Sequence, residues 1–292
     1  MIKRLFVLMA LLVLSVGCNR RVGVILDEQI NIGTHSLHIY CVGEGSPVIV
    51  IDVGIGETGA SWQSVQDQLA QDTRVCTYDR AGYEQSDTGP MPRHSKQMAG
   101  ELKILLENAG VEGPYLLVGH SLGGLNMQIF ASQYPEVVIG AVLLDPPPLR
   151  WLISGVDFPE LYEMFNQQTE DLSRAATAAS QSDDPEEKSK ASFYLALTSE
   201  SEELLGESAR QVATIGSFDD MPLVVIGSGR PNPSFGDSAE AYQLFWIEQS
   251  RALADKSTAG LFILAEESGH HIHQDAPEMV MEAIISMLQQ MR

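Results

Sequence analysis

The chain has 292 residues, of which 44% are hydrophobic and 20% charged, a balance that excludes wholesale disorder and ordinary fibrous repeats. Its formal net charge of −21 repels a phosphate backbone, so nucleic acid is excluded as a partner. Three cysteines are too few for a disulfide scaffold or a four-cysteine zinc site.

The first eighteen residues read as a targeting segment rather than as fold. Lys3 and Arg4 precede an apolar run from Leu5 to Val16, and Gly17 and Cys18 follow. The run falls short of the roughly 20 residues of a membrane-spanning helix. A basic start, a short apolar stretch and small residues describe a signal peptide. Leu14-Ser15-Val16-Gly17-Cys18 resembles a bacterial lipobox, with the leucine one place early. The expectation is export to the bacterial periplasm or cell envelope, with Cys18 lipidated and serving as a membrane anchor. An ordinary secretory signal and an uncleaved anchor are the alternatives.

Beyond residue 22, short apolar segments bounded by Gly, Pro or Asp alternate with helical periodicity. Strands are expected at Gln29–Ile32, Leu37–Val42, Val48–Val53, Arg74–Tyr78, Tyr115–Val118, Ile139–Leu144, Leu223–Ile226 and Leu261–Leu264. The first two form a hairpin around Gly33-Thr34. The later ones are continuously apolar, as buried parallel strands are. Helices are expected at Ser61–Gln71, Ser95–Ala109, Leu122–Gln133, Ala239–Ala254 and Pro277–Met291. The alternation predicts an α/β fold with a mostly parallel sheet. Residues 146–220 interrupt it with Ala-, Ser- and acid-rich helical sequence and no convincing strand. They read as a helical insert whose acids form a solvated surface.

The sharpest signal is Gly119-His120-Ser121-Leu122-Gly123, a G-x-S-x-G pattern between a strand and a helix. A tight strand-to-helix turn exposes the Ser121 hydroxyl and needs small residues on both sides. It also leaves the Leu122 N–H free to bind an oxyanion at a helix N-terminus.

With these residues the chain resembles the α/β-hydrolase superfamily over residues 28–145 and 221–291. It is most similar to the branch of proline iminopeptidase-like enzymes and small esterases. Val48 to Gly56 is similar to the third strand and oxyanion loop, Tyr78 to Asp87 to the loop after the fourth strand, and Ser268-Gly269-His270 to the histidine loop. The resemblance implies an eight-stranded, mostly parallel sheet flanked by helices. The core is then 19–145 and 221–292, with 146–220 as a helical cap after strand six. Where the family often has His-Gly, this chain has Val53-Gly54, so Ile55 supplies the second oxyanion N–H. Glu84 replaces a common glycine and reads as a surface change.

The resemblance implies a serine hydrolase forming an acyl-enzyme on a small ester or amide. Ser121 is the nucleophile, His270 the base, and Ile55 and Leu122 the oxyanion donors. The acid usually follows strand seven, but residues 227–236 contain no carboxylate. Asp145, after strand six, is the first choice and Asp237 the second. Dehalogenases and epoxide hydrolases of this fold use an aspartate nucleophile, so Ser121 argues against both. The alternatives are a non-catalytic binding protein and a proline iminopeptidase-like aminopeptidase. No cofactor is implied. His271, His273 and Asp275 lack the spacing of a metal site, so no metal is expected. His120 reads as structural, and His35, His38 and His94 as surface or strand residues. Cys41 and Cys76 fall on neighbouring strands of the family's sheet. Export permits their pairing, but two buried reduced thiols are the favoured reading.

Overall fold

The computed structural model describes residues 23–291. The stretch expected to be a targeting segment, Cys18 included, lies outside the described residues.

Eight strands form one sheet: β1 Val24–Asn31, β2 Ser36–Val42, β3 Val48–Asp52, β4 Val75–Tyr78, β5 Tyr115–His120, β6 Val138–Leu144, β7 Leu223–Ser228 and β8 Gly260–Ala265. Their spatial order is β1-β2-β4-β3-β5-β6-β7-β8. Only the β1–β2 and β2–β4 pairs are antiparallel. The chain leaves β3 for β4 on one side and returns as β5 on the other. That reversal opens a crevice at the carboxyl ends of β3 and β5, where ligands bind in open α/β sheets.

Side chains alternate across each strand, so each buried strand feeds two cores. Val48, Val50, Leu117, Leu143 and Val225 face one layer with helices α2 Ser95–Asn108 and α3 Leu122–Gln133. Ile49, Ile51, Leu116, Val118, Val142 and Ile226 face the other. That second layer holds Val65 and Leu69 of α1 Gln63–Leu69, and Val280, Ile284 and Leu288 of a carboxyl-terminal helix, Pro277–Gln290. Both faces are covered, which is why β3 and β5 to β7 are continuously apolar.

Between β6 and β7 the chain forms α4 Leu149–Ser154, α5 Pro159–Gln181, α6 Pro185–Ser189, α7 Ala191–Glu203 and α8 Ala209–Ala213. No strand interrupts them. Many of their acids are exposed, as a solvated face requires. Glu200 on α7 is the exception, at 0% exposure. After β7 come α9 Ala239–Ala254, then β8, α10 Ile272–Asp275 and α11, the Pro277–Gln290 helix.

Two expectations need correction. Cys41 and Cys76 are bonded to each other, not reduced. They stand directly opposite in the antiparallel β2–β4 register, with Cα atoms 4.1 Å apart. Such a close cross-strand pair brings the two sulfurs within bonding reach. The helix expected over Ser61–Gln71 divides into a 3-10 turn, Gly59–Trp62, and α1, with Trp62 buried at the junction. Glu84 is exposed, as the surface reading expects, and its φ of 37° lies in the left-handed region that favours glycine.

Candidate active site

Ser121 follows β5 with φ 52° and ψ −118°, a conformation strained for any residue with a side chain. The neighbouring glycines make the turn possible. A Cβ on Gly119 would lie 2.6 Å from the Gly123 carbonyl oxygen, and one on Gly123 would lie 2.1 Å from that of Asp52. Neither fits. The Ser121 N–H donates to Leu144 O at 3.0 Å, which ties the turn to the end of β6. The helix α3 starts at Leu122, directly after the serine. Among the described residues neither the Ile55 nor the Leu122 N–H reaches an acceptor, so both remain available to an incoming oxygen.

Asp145 follows β6 and is 1% exposed. The His270 Nδ1–H donates to its Oδ2 at 2.7 Å. The Ser228 N–H donates to Oδ1 at 2.9 Å, and the Ser228 hydroxyl sits 3.0 Å from both oxygens. Gln243 Nε2 donates in turn to Ser228 O at 2.7 Å and Oγ at 3.1 Å. Asp237 is exposed in the 3-10 turn Pro233–Ser238 and makes no contact with His270. The geometry therefore joins Asp145, not Asp237, to the histidine. Adjacency of strands explains the choice. Asp145 N–H donates to Ile226 O at 2.8 Å, so the end of β6 lies beside the end of β7. Ser228, on β7, hydrogen-bonds the carboxylate that follows β6.

The His270 side chain is 36% exposed. Among the described residues its ring hydrogen-bonds Asp145, and no hydrogen bond joins it to the Ser121 hydroxyl. His120 bridges the two loops instead. Its ring lies 4.7 Å from the His270 ring, and its Nε2–H donates to the His270 carbonyl at 2.8 Å.

His120 Nδ1 lies 3.0 Å from Glu57 Oε2, which also accepts the Gly54 N–H at 2.8 Å. Burial pushes the Glu57 carboxyl up. The His120 hydrogen bond and charge, the Gly54 N–H and His273 outweigh that and hold it at about 2. His273 stacks on Trp62 with centroids 4.3 Å apart. Burial, then His120, pushes its imidazole down to about 3, so it is neutral at pH 7. The His271, His273 and Asp275 set does not assemble, because Asp275 is taken by Arg230 at 2.7 Å and the Gly269 N–H at 2.8 Å. The metal-ligating atoms that do converge, within 4.8 Å, belong to Glu57, His120 and His273. Of these, His120 Nδ1 and Glu57 Oε2 already pair with each other at 3.0 Å. His38 is a buried strand residue between Asp27 and Asp79, and His94 caps the start of α2.

Sequence reasoning missed Glu57, Ser228 and Gln243, and the part His120 plays in holding His270. Ser228 had one signal: it occupies the strand-seven end where the family's acid commonly stands.

A family profile described as alpha/beta hydrolase fold matches residues 47–202, just over half of the chain. An uncharacterized Bacillus subtilis protein, YqjL, is 29% identical over 242 residues, 83% of each chain. A putative carbamate hydrolase, RutD, of Cronobacter turicensis is 36% identical over 112 residues, 38% of this chain and 40% of that one. Among solved structures, a thermophilic esterase from Thermogutta terrifontis superposes with a TM-score of 0.67 at 22% identity, covering 90% of this chain and 98% of the esterase. A Bacillus megaterium epoxide hydrolase superposes with a TM-score of 0.66 at 15% identity, covering 90% and 100%. Among the described residues no helix is long and apolar enough to cross a membrane. The strand order, the serine elbow and the profile match lead to one conclusion: the chain belongs to the α/β-hydrolase fold family.

Proposed function

We propose that this protein is a serine hydrolase that cleaves a small carboxylic ester through an acyl-enzyme. The observation that carries the reading is the strained serine elbow beside an Asp145–His270 hydrogen bond of 2.7 Å. In this reading His270 Nε2 takes the Ser121 proton as Oγ attacks the carbonyl carbon. The Ile55 and Leu122 N–H groups bind the oxyanion. His270 then protonates the leaving alcohol, and water repeats the sequence to release the acid. Asp145 holds the imidazole in the tautomer that leaves Nε2 free. The esterase and carbamate hydrolase among the similar proteins support acyl chemistry. The epoxide hydrolase shares the fold, and Ser121 replaces the aspartate nucleophile that such enzymes use.

The proposal includes export and anchoring through Cys18. The Cys41–Cys76 disulfide supports it, because such bonds persist in oxidising compartments.

The test is a panel of p-nitrophenyl esters of increasing acyl length beside aminoacyl anilides. The account predicts turnover of short esters and an anilide rate at least tenfold lower. Comparable anilide rates would replace the esterase reading with an aminopeptidase one. No turnover of either class would favour a binding protein.

A further inference from the structure

Arg80 lies in the loop after β4 and is 2% exposed, yet all five of its N–H groups are matched. Nε donates to Glu200 Oε1 at 2.8 Å, and Nη2 to Glu200 Oε2 at 3.0 Å. Nη1 donates to Asp52 Oδ1 at 2.9 Å. The remaining two donors hold consecutive carbonyls of the oxyanion loop: Nη1 takes Val53 O at 2.7 Å, and Nη2 takes Gly54 O at 2.9 Å. Tyr83 completes the cluster. Its hydroxyl donates to Glu200 Oε2 at 2.6 Å and accepts the Gly56 N–H at 3.2 Å.

Planar trans peptides turn these contacts into an orientation. A carbonyl and the next N–H point in opposite directions across one peptide plane. Holding Val53 O on Arg80 sends the Gly54 N–H the other way, onto Glu57 Oε2 at 2.8 Å. Holding Gly54 O on Arg80 sends the Ile55 N–H away from the guanidinium. The Tyr83 contact then fixes the following peptide at Gly56. Glu200 sits 120 positions from Arg80, on α7 of the helical insert, and satisfies two of the five donors.

We propose that Glu200 is a positioning residue for the oxyanion hole: through Arg80 and Tyr83, the helical insert sets the direction of the Ile55 N–H. The inference rests on the acyl-enzyme reading of the same site. It assigns the insert a part in transition-state stabilisation, beyond covering the substrate. A rotated Gly54–Ile55 peptide would present a carbonyl where a donor is needed.

The experiment measures kcat, KM and the rate of fluorophosphonate inactivation for the full chain, Glu200→Gln and Tyr83→Phe. Tyr83→Phe keeps the ring and its packing, so it remains informative if Glu200→Gln fails to fold. Loss of one aligned oxyanion donor predicts kcat and the inactivation rate lower by about 10- to 100-fold, with KM within about twofold. Raised KM with unchanged kcat and inactivation would show a substrate-covering role only and overturn the proposal. Unchanged kinetics in folded variants would also overturn it. If the unaltered chain fails to react with fluorophosphonate, the serine chemistry itself fails, and the proposal falls with it. Normal reaction at Ser121 in all three chains would remove only the role of Glu200.

Discussion

Asp145 and Glu200 are both buried carboxylates near the carboxyl edge of the sheet, and their partners differ in kind. Asp145 receives a backbone N–H, a serine hydroxyl and an imidazole. Glu200 receives a guanidinium at two points and a tyrosine hydroxyl. The His270 side chain beside Asp145 is 36% exposed, whereas the Arg80 side chain beside Glu200 is 1% exposed. A guanidinium does not deprotonate in a protein, so the Glu200 centre is a fixed lock. An imidazole held through Nδ1 leaves Nε2 free to accept and return a proton, so the Asp145 centre is suited to transfer. Under the proposed mechanism a buried carboxylate serves geometry in one place and proton movement in the other.

The comparison breaks most sharply at Asp145. Asp145→Asn keeps size and shape but removes the charge that favours the imidazolium and the working tautomer. The expected loss is about 10⁴-fold in kcat. Asp237→Asn, at an exposed position, should leave kcat unchanged and shift stability by less than about 0.5 kcal/mol. Steady-state kinetics with thermal melting checks both. An active Asp145→Asn beside an inactive Asp237→Asn would move the acid to the loop after β7.

Arg80→Met tests the other centre with a smaller effect, read on stability rather than turnover. It leaves Glu200 and Asp52 buried without their cation. Breaking a buried ion pair from one side costs about 3–5 kcal/mol, which lowers the melting temperature by on the order of 10 °C. Asp145→Asn, which strips no cation from a neighbour, should melt within a few degrees of the unaltered chain. Equal melting losses in the two variants would erase the distinction between lock and transfer site.

Much of this arrangement was legible in the sequence because its signals are local. The elbow is one run of residues, and the helix Leu122–Gln133 was bounded where the structure has it. Continuous apolar runs marked β3 and β5 to β7 because both faces of those strands are covered. Asp145 reads as the candidate acid because residues 227–236 lack a carboxylate, it ends an apolar strand, and it keeps the order Ser, Asp, His. What escaped depends on contacts distant in sequence. Glu200 lies in an acid-rich helix that reads as solvated, and only the fold brings Arg80 to it. Glu57 carries no motif, and its importance comes from the approach of His120 across the crevice. The Cys41–Cys76 bond depends on the register of β2 against β4, a one-residue matter that composition does not encode.

If Ser121 is an activated nucleophile, a fluorophosphonate will modify it covalently. The full chain would be treated with a fluorophosphonate, and the modified residue located by peptide mass spectrometry. The account predicts one adduct on Ser121, with labelling abolished in Ser121→Ala while the fold is retained. An adduct on another serine, or equal labelling of Ser121→Ala, would contradict it.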